Sequence, residues 1–116
     1  MNLYHCMIEL KSDAKALTFA GAVEAWMAAL LETGDVLGWR LLRRKLGLAS
    51  GQHTDFLLEI EVEDLAGLER AFRSAGQCND SVARHFELMH AMIGRLETGL
   101  YRPFPGQEHR ERIALI

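Results

Sequence analysis

Apolar and polar residues alternate along three stretches of the chain. These stretches run from Leu3 to Lys11, from Val36 to Leu46 and from Thr54 to Val62. A period of two is typical of a β-strand with one buried face. The second and third stretches are consecutive and are joined by a connection rich in turn-forming residues, so together they predict a β-hairpin.

The position of the turn predicts how the two strands of the hairpin pair. With the turn centred near Ser50 and Gly51, the predicted partners are Trp39 with Val62, Leu41 with Ile60, Arg43 with Leu58 and, on the other face, Arg40 with Glu61. This register sets apolar residues opposite each other on one face and opposite charges on the other.

A first helix is predicted between the first strand and the hairpin. Ser12 and Asp13 offer N-cap oxygens, and Gly34 is typical of the residue that follows the last helical turn. The core-facing stripe is predicted to comprise Ala16, Ala20, Val23, Met27, Leu30 and Leu31, with Phe19 and Trp26 at its border.

A broken helical region and a last strand are predicted after the hairpin. Asp64 is a predicted N-cap for a helix over 65–75 whose inward side carries Leu68 and Phe72. After an interruption at 76–79, a second helical stripe carries Val82, Phe86, Met89 and Ile93. The segment 95–104 can be read as helix and loop or as a strand, and its glycines and prolines favour the strand.

The order strand, helix, strand, strand, broken helix, strand predicts an α+β, ferredoxin-like sandwich. Its four-stranded antiparallel sheet carries the helices on one face. The predicted domain spans residues 1–104, and residues 105–116 form a C-terminal tail. A chain of 116 residues has room for one such domain.

Helices on one side leave the other face of the sheet uncovered. Strand alternation places on it His5 and the predicted dimer face, namely Met7, Glu9, Arg40, Leu42, Arg44, Leu57, Glu59 and Glu61. This face mixes apolar side chains with opposite charges, a composition that suits packing against a second copy of the chain. The sequence therefore predicts a homodimer, with the two copies forming a dimeric α+β barrel.

The net charge and the apolar pattern exclude two classes of partner. A formal charge of −3 gives no general attraction to nucleic acid. The open face also lacks the aromatic residues on which RNA-binding sheets of this topology stack bases. No apolar run approaches the roughly 20 residues that span a bilayer, so a cytoplasmic protein without a membrane partner is expected. The two cysteines, Cys6 and Cys78, could form at most one bridge and match no zinc pattern.

Three segments make the chain resemble a known superfamily. They are WRLLRRKLGL at 39–48, EIEVEDLAGLERAF at 59–72 and LYRPFP at 100–105. With the predicted topology, they are similar to the dimeric α+β barrel superfamily, which includes antibiotic-biosynthesis monooxygenases, muconolactone-isomerase-like enzymes and heme-degrading monooxygenases. The resemblance is greatest to an uncharacterised branch of small ferredoxin-like dimers from marine bacteria. For that branch it implies a fold and a dimer, but no activity.

Two groups of residues are candidates for chemistry. His5 and the charged residues of the open face could supply a general base and an anion-binding arginine, or they could form ion pairs in a dimer interface. The aromatic residues Tyr4, Trp26, Trp39, Phe56, Phe72 and Phe86 are expected between the sheet and the helices, as simple core or around a cavity. If a cavity remains there, Trp26, Trp39, His85 and Met89 are the predicted lining.

Histidines on the second helical region raise the question of metal or heme. His85 and His90 are five residues apart, which places them about 140° apart around an ideal helix, so no metal site is predicted from them. In heme-degrading relatives a single helix histidine ligates iron, and the resemblance makes His85 the candidate for that role. No cofactor is expected, with heme as the alternative.

Two functions from different classes stay open. The first is a small-molecule-binding or scaffold module. The second is a small cofactor-independent monooxygenase or isomerase that acts on an aromatic or apolar substrate in a helix–sheet pocket, with His5 or His85 as the candidate catalytic residue.

Overall fold

The computed structural model describes residues 2–45, 54–75 and 81–105. In chain order its elements are β1 (Asn2–Leu10), α1 (Ala16–Thr33), β2 (Gly38–Arg43), β3 (Phe56–Val62), α2 (Leu65–Ala75), α3 (Ser81–His90) and β4 (Ile93–Tyr101). The strands form one antiparallel sheet in the order β2-β3-β1-β4. The predicted ferredoxin-like α+β fold is confirmed. The last strand is present, but it begins at Ile93, which was predicted to lie on the second helical stripe.

The hairpin register differs from the prediction by two residues. Trp39 pairs with Ile60 rather than Val62, and Arg40 pairs with Glu59 rather than Glu61. Because side chains alternate with a period of two, a shift of two residues keeps every side chain on its predicted face. The connection at 46–53, from which the register was predicted, lies outside the described residues.

Of the two predicted ends of helix α1, only the C-terminal one is correct. Gly34 follows the helix with a φ of 80°, and its N–H donates to the carbonyl of Leu31 at 3.2 Å, as its left-handed conformation allows. The predicted cap at Ser12 or Asp13 is wrong. The N-cap position is Lys15, which provides no side-chain hydrogen bond.

The buried stripe of α1 is rotated relative to the prediction. Its buried members are Phe19, Val23, Trp26, Met27 and Leu30. Phe19 and Trp26, predicted at the border, lie in the core, whereas Leu31 is 41% exposed. Positions 19, 23, 26 and 30 recur at intervals of four, three and four, so they share one helix face, and the large aromatic rings decide which face is buried.

Helix α2 begins as predicted and is held to the end of α1. The Asp64 carboxylate accepts a hydrogen bond from the Gly67 N–H at 2.8 Å. The carboxylate of Asp35 accepts from Arg70 Nε and from the Thr33 hydroxyl, each at 3.0 Å. The predicted interruption at 76–79 and the tail from residue 106 lie outside the described residues, so the domain boundary at 104 stays a prediction.

The core lies between the helices and the inner face of the sheet. Its largest fully buried side chains include Ile8, Phe19, Met27 and Leu58. Strand β4 continues this inner face, since Leu96 pairs with Ile8 and Leu100 with Tyr4, yet both leucines stay 40% exposed or slightly more. The helical layer therefore leaves part of β4 uncovered. No helix in the described part of the chain is long and apolar enough to cross a membrane.

Candidate functional site

A cavity of about 90 Å³ lies between the sheet and the three helices. It is lined by Tyr4, Cys6 and Ile8 of β1, Leu58 of β3, Ile93 and Leu96 of β4, Trp26 of α1, Phe72 of α2, and Phe86, Met89 and His90 of α3. Strand β2 contributes nothing to this wall. The cavity thus lies on the β1–β4 side of the sheet, where the helical layer is incomplete.

The cavity wall differs from the predicted set at two positions. Trp26 and Met89 line it, but Trp39 and His85 do not. Trp39 is on β2, which the sheet order places at the opposite edge from β4. His85 precedes Phe86 by one residue and is therefore turned about 100° around the helix from the lining face. The imidazole in the wall belongs instead to His90.

Several lining residues could have been found from the sequence. Tyr4, Cys6 and Ile8 share the inward parity of the first strand. Tyr4, Phe72 and Phe86 belong to the aromatic set expected between sheet and helices. The place of Leu96 in the wall depends on the pairing of β4 with β1, and that of His90 depends on where α3 ends. Neither feature leaves a pattern in the sequence that is specific to a cavity.

Aromatic contacts shape the cavity and its entrance. Tyr4 and Phe72 meet edge to face with ring centroids 5.3 Å apart, and Trp26 and Phe86 meet in the same way at 5.0 Å. Phe86 also stacks on His90 at 5.3 Å. Because Phe72 is 42% exposed while its ring contacts Tyr4 of the cavity wall, it lies at the boundary between cavity and solvent.

The polar groups of the wall are few, and burial disfavours the charged forms of two of them, the Cys6 thiol and the Tyr4 hydroxyl. Burial raises the pKa of the Cys6 thiol to about 12, so the thiol is protonated at neutral pH and is no nucleophile. Burial also raises the pKa of Tyr4, although a side-chain hydrogen bond with Thr98 acts in the opposite direction. The indole N–H of Trp26 is buried and has no hydrogen-bond partner among the described residues.

The cavity does not fit heme. Pockets for drug-sized ligands are on the order of 300–1,000 Å³, whereas this one has a volume of about 90 Å³. The candidate iron ligand, His85, is also not part of the wall. Within 2–45, 54–75 and 81–105, no cluster of three or more His, Cys, Asp or Glu side chains could hold a metal ion.

The open face of the sheet carries a separate polar cluster. Glu59 is only 7% exposed, and its carboxylate accepts a hydrogen bond from Arg40 Nε and lies 3.7 Å from His5 Nε2. Glu59 holds the pKa of the Arg40 guanidinium above its ordinary value. The His5 ring also contacts the Tyr101 ring, with centroids 4.8 Å apart. Since Gly99 is the partner of His5 on β4, the space beside His5 is left for that ring.

His5 and the cavity lie on opposite faces of the sheet. Cys6 and Tyr4, its neighbours in β1, line the cavity, and alternation directs the intervening side chain to the open face. His5 therefore cannot reach a molecule bound among the helices. The two predicted catalytic candidates, His5 and His85, are both placed outside the cavity wall.

The predicted dimer face forms one surface by strand register. Met7, Leu57 and Leu42 lie across β1, β3 and β2 as direct partners, with Leu42 exposed. Charged residues surround this apolar row. Glu9 lies 3.6 Å from Arg95 and Arg44 lies 3.4 Å from Asp55, while Glu61 lies beside Gly38. Strand register therefore places the residues of the predicted dimer face together on the open face.

Comparisons with known proteins agree with this fold. A family described as a family of unknown function, DUF6614, matches residues 1–116. The chain belongs to DUF6614. No curated protein matches it significantly.

Several solved structures share the fold of this DUF6614 protein at low sequence identity. The protein At3g17210 from Arabidopsis thaliana is 6% identical, with a TM-score of 0.74 over 92% of this chain and 99% of its own. SnoaB, a cofactor-independent oxygenase from Streptomyces nogalater, is 13% identical, with a TM-score of 0.69 over 91% and 95%. A dimeric ferredoxin-like protein of unknown function from Jannaschia sp. CCS1 is 13% identical, with a TM-score of 0.66 over 89% and 100%. The predicted resemblance to ferredoxin-like proteins of unknown function is confirmed.

Proposed function

We propose that this DUF6614 protein binds a small apolar or aromatic molecule in the helix–sheet cavity and does so as a homodimer. The observation that carries the proposal is the cavity itself, whose wall combines aromatic and aliphatic side chains with a few polar groups. Concave, mostly apolar surfaces with a few polar groups are typical of small-molecule sites.

The size of the cavity limits the molecule that enters without rearrangement. A volume of about 90 Å³ corresponds to roughly three water molecules, and a cavity of about 150 Å³ is known to bind benzene. A ring-sized guest therefore requires a wall residue to move. Phe72 is suited to this because it is part-exposed and is held by an edge-to-face contact with Tyr4.

Thermal unfolding in the presence of toluene tests the binding proposal. A guest that binds only the folded state raises Tm. We expect toluene to raise the Tm of the wild type and not that of a Cys6→Leu variant, whose larger side chain occupies the cavity. An equal response of both proteins would place toluene elsewhere. No response of the wild type would contradict binding and leave the scaffold role.

The homodimer is supported by the open face. This surface sets the apolar row of Met7, Leu57 and Leu42 among charged residues, and three of the similar solved structures are described as dimeric ferredoxin-like or dimeric proteins. Sedimentation velocity tests it, with a dimer expected at micromolar concentration. A stable monomer would contradict the proposal.

A cofactor-independent oxygenase or isomerase is the second candidate function. It is favoured by the structural likeness to SnoaB and by His90, an imidazole in the cavity wall that can accept a proton. Such an enzyme would consume oxygen or rearrange an aromatic substrate without added cofactor. Conversion of a molecule copurified with the protein, reduced in a His90→Ala variant but not in His85→Ala, would support it. Recovery of that molecule unchanged would favour binding alone.

A further inference from the structure

His5 lies among acidic side chains on the open face of the sheet. Its partner on β3 is Glu59, and Glu61 of β3 and Glu97 of β4 occupy diagonal positions beside it. Its Nε2 atom lies 3.7 Å from Glu59 Oε1, and the ring of Tyr101 contacts the imidazole from β4. Histidine gains or loses its proton near neutral pH, so the pH decides whether His5 and Glu59 form an ion pair.

Glu59 lies between His5 and a permanent cation. Its Oε2 atom accepts a hydrogen bond from Arg40 Nε, whereas its Oε1 atom faces His5. The carboxylate is largely removed from water, since Glu59 is 7% exposed, while the His5 side chain is still 25% exposed. A desolvated carboxylate is stabilised by each positive partner that it gains. A protonated His5 would therefore stabilise Glu59 further once a second chain excludes the remaining water.

The four strands give the open face an excess of negative charge. Register and alternation place on it four carboxylates and two guanidiniums, namely Glu9, Glu59, Glu61, Glu97, Arg40 and Arg95. With His5 neutral, these strand residues carry a net charge of −2 per chain, and the pair of Arg44 with Asp55 beyond the strand ends adds none. Two such faces packed together would repel each other. One proton on each His5 halves the negative charge that the two faces bring together.

We propose that association of two chains through the open face is coupled to protonation of His5, so that the dimer tightens as the pH falls. The inference rests on the proposed homodimer and adds the regulation of that interface. The coupling is reciprocal: if the dimer binds protons more tightly than the monomer does, added protons favour the dimer to the same extent. The cluster of His5, Glu59 and Arg40 thus acts as a pH-sensitive element of the interface.

The Kd of the dimer at pH 7.5 and pH 5.5 tests this inference, measured by sedimentation of fluorescently labelled protein down to nanomolar concentration. Two ion pairs of ordinary strength, one per chain, correspond to roughly a tenfold change in Kd. We expect the wild type to dimerise about tenfold more tightly at pH 5.5. His5→Gln keeps every carboxylate but cannot take up this proton, so its Kd should change much less. His85→Gln, on α3 at the helical side of the sheet, is the matched control and should behave as the wild type. If the dimer persists at nanomolar protein, the urea concentration that dissociates it reports the same differences.

The outcomes separate this inference from the proposed homodimer. A dimer that is equally tight at both pH values, or weaker at pH 5.5, would overturn the inference and leave the homodimer intact, as would full pH dependence in His5→Gln. Glu59→Gln gives an independent answer if His5→Gln does not fold. It should lose part of the pH dependence, and an undiminished tenfold change would contradict the role of the pair. If the wild type is a monomer at both pH values, the homodimer fails, and the inference fails with it.

Discussion

Replacing Cys6 by valine should make the stability of the protein less sensitive to alkali. Cys6 is buried in the cavity wall, and burial raises the pKa of its thiol from 9.0 to about 12. Valine has a similar apolar volume and suits a β-strand, so it removes the ionisable group with little change in packing.

The sign and the size of the effect follow from the two pKa values. Below pH 9 the thiol is protonated in both the folded and the unfolded chain, and its contribution to stability is fully present. As the pH rises from 9 towards 12, the unfolded chain loses this proton while the folded chain keeps it, so the unfolded state is favoured. At about 1.4 kcal/mol per pKa unit, the wild type loses on the order of 2 kcal/mol by pH 10.5 and 4 kcal/mol by pH 12.

Urea unfolding at pH 7.5, 9 and 10.5 measures this difference. All ionisable groups except Cys6 are common to the two proteins, so their effects cancel when the variant is compared with the wild type. The free energy of unfolding should fall more steeply with pH in the wild type, by about 2 kcal/mol at pH 10.5. Parallel curves for the two proteins would show that Cys6 is not buried as described.

Three further predictions concern the ends of the helices and the open face. Gly34→Ala should lower the free energy of unfolding in urea by about 1 kcal/mol, because alanine is strained at the positive φ of this position. The control Gly21→Ala lies at an exposed helical position with open space and should raise the free energy of unfolding by about 0.5 kcal/mol. Asp35→Ala should lower the free energy of unfolding by about 1–2 kcal/mol, since it removes the hydrogen bonds to Arg70 and Thr33. The control Glu69→Ala breaks an exposed ion pair and should lower it by under about 0.5 kcal/mol. Equal losses would contradict the role of Asp35. Leu57→Asp should shift sedimentation towards the monomer, and an unchanged dimer would refute the assigned interface.

The order of the elements and the faces of the strands could be predicted because both depend on local periodicity. Tyr4, Cys6 and Ile8 face the helices simply because the alternating pattern assigns them there. The hairpin register could not be predicted correctly from the turn residues. The shift of two residues preserves both faces, so Arg40 meets a glutamate in either register and the pattern alone does not distinguish the two.

The cavity could be predicted only in part, because its position depends on sheet order and helix rotation. Trp26 and Met89 belong to inward stripes and do line it. Trp39 is equally inward, yet it lies on the strand at the far edge of the sheet from β4. His85 and His90 have similar local surroundings in the sequence. Which of them reaches the cavity depends on where helix α3 ends and how it is rotated on the sheet.

The most direct test of a guest-binding cavity is methyl NMR of the methionines during a toluene titration. Met89 lines the cavity, whereas Met27 is fully buried in the core and is not part of the wall. Binding in the cavity predicts a saturable shift of the Met89 methyl signal, with a much smaller change at Met27. An unmoved Met89 signal, or equal shifts at both methionines, would contradict the assignment of this cavity as the binding site.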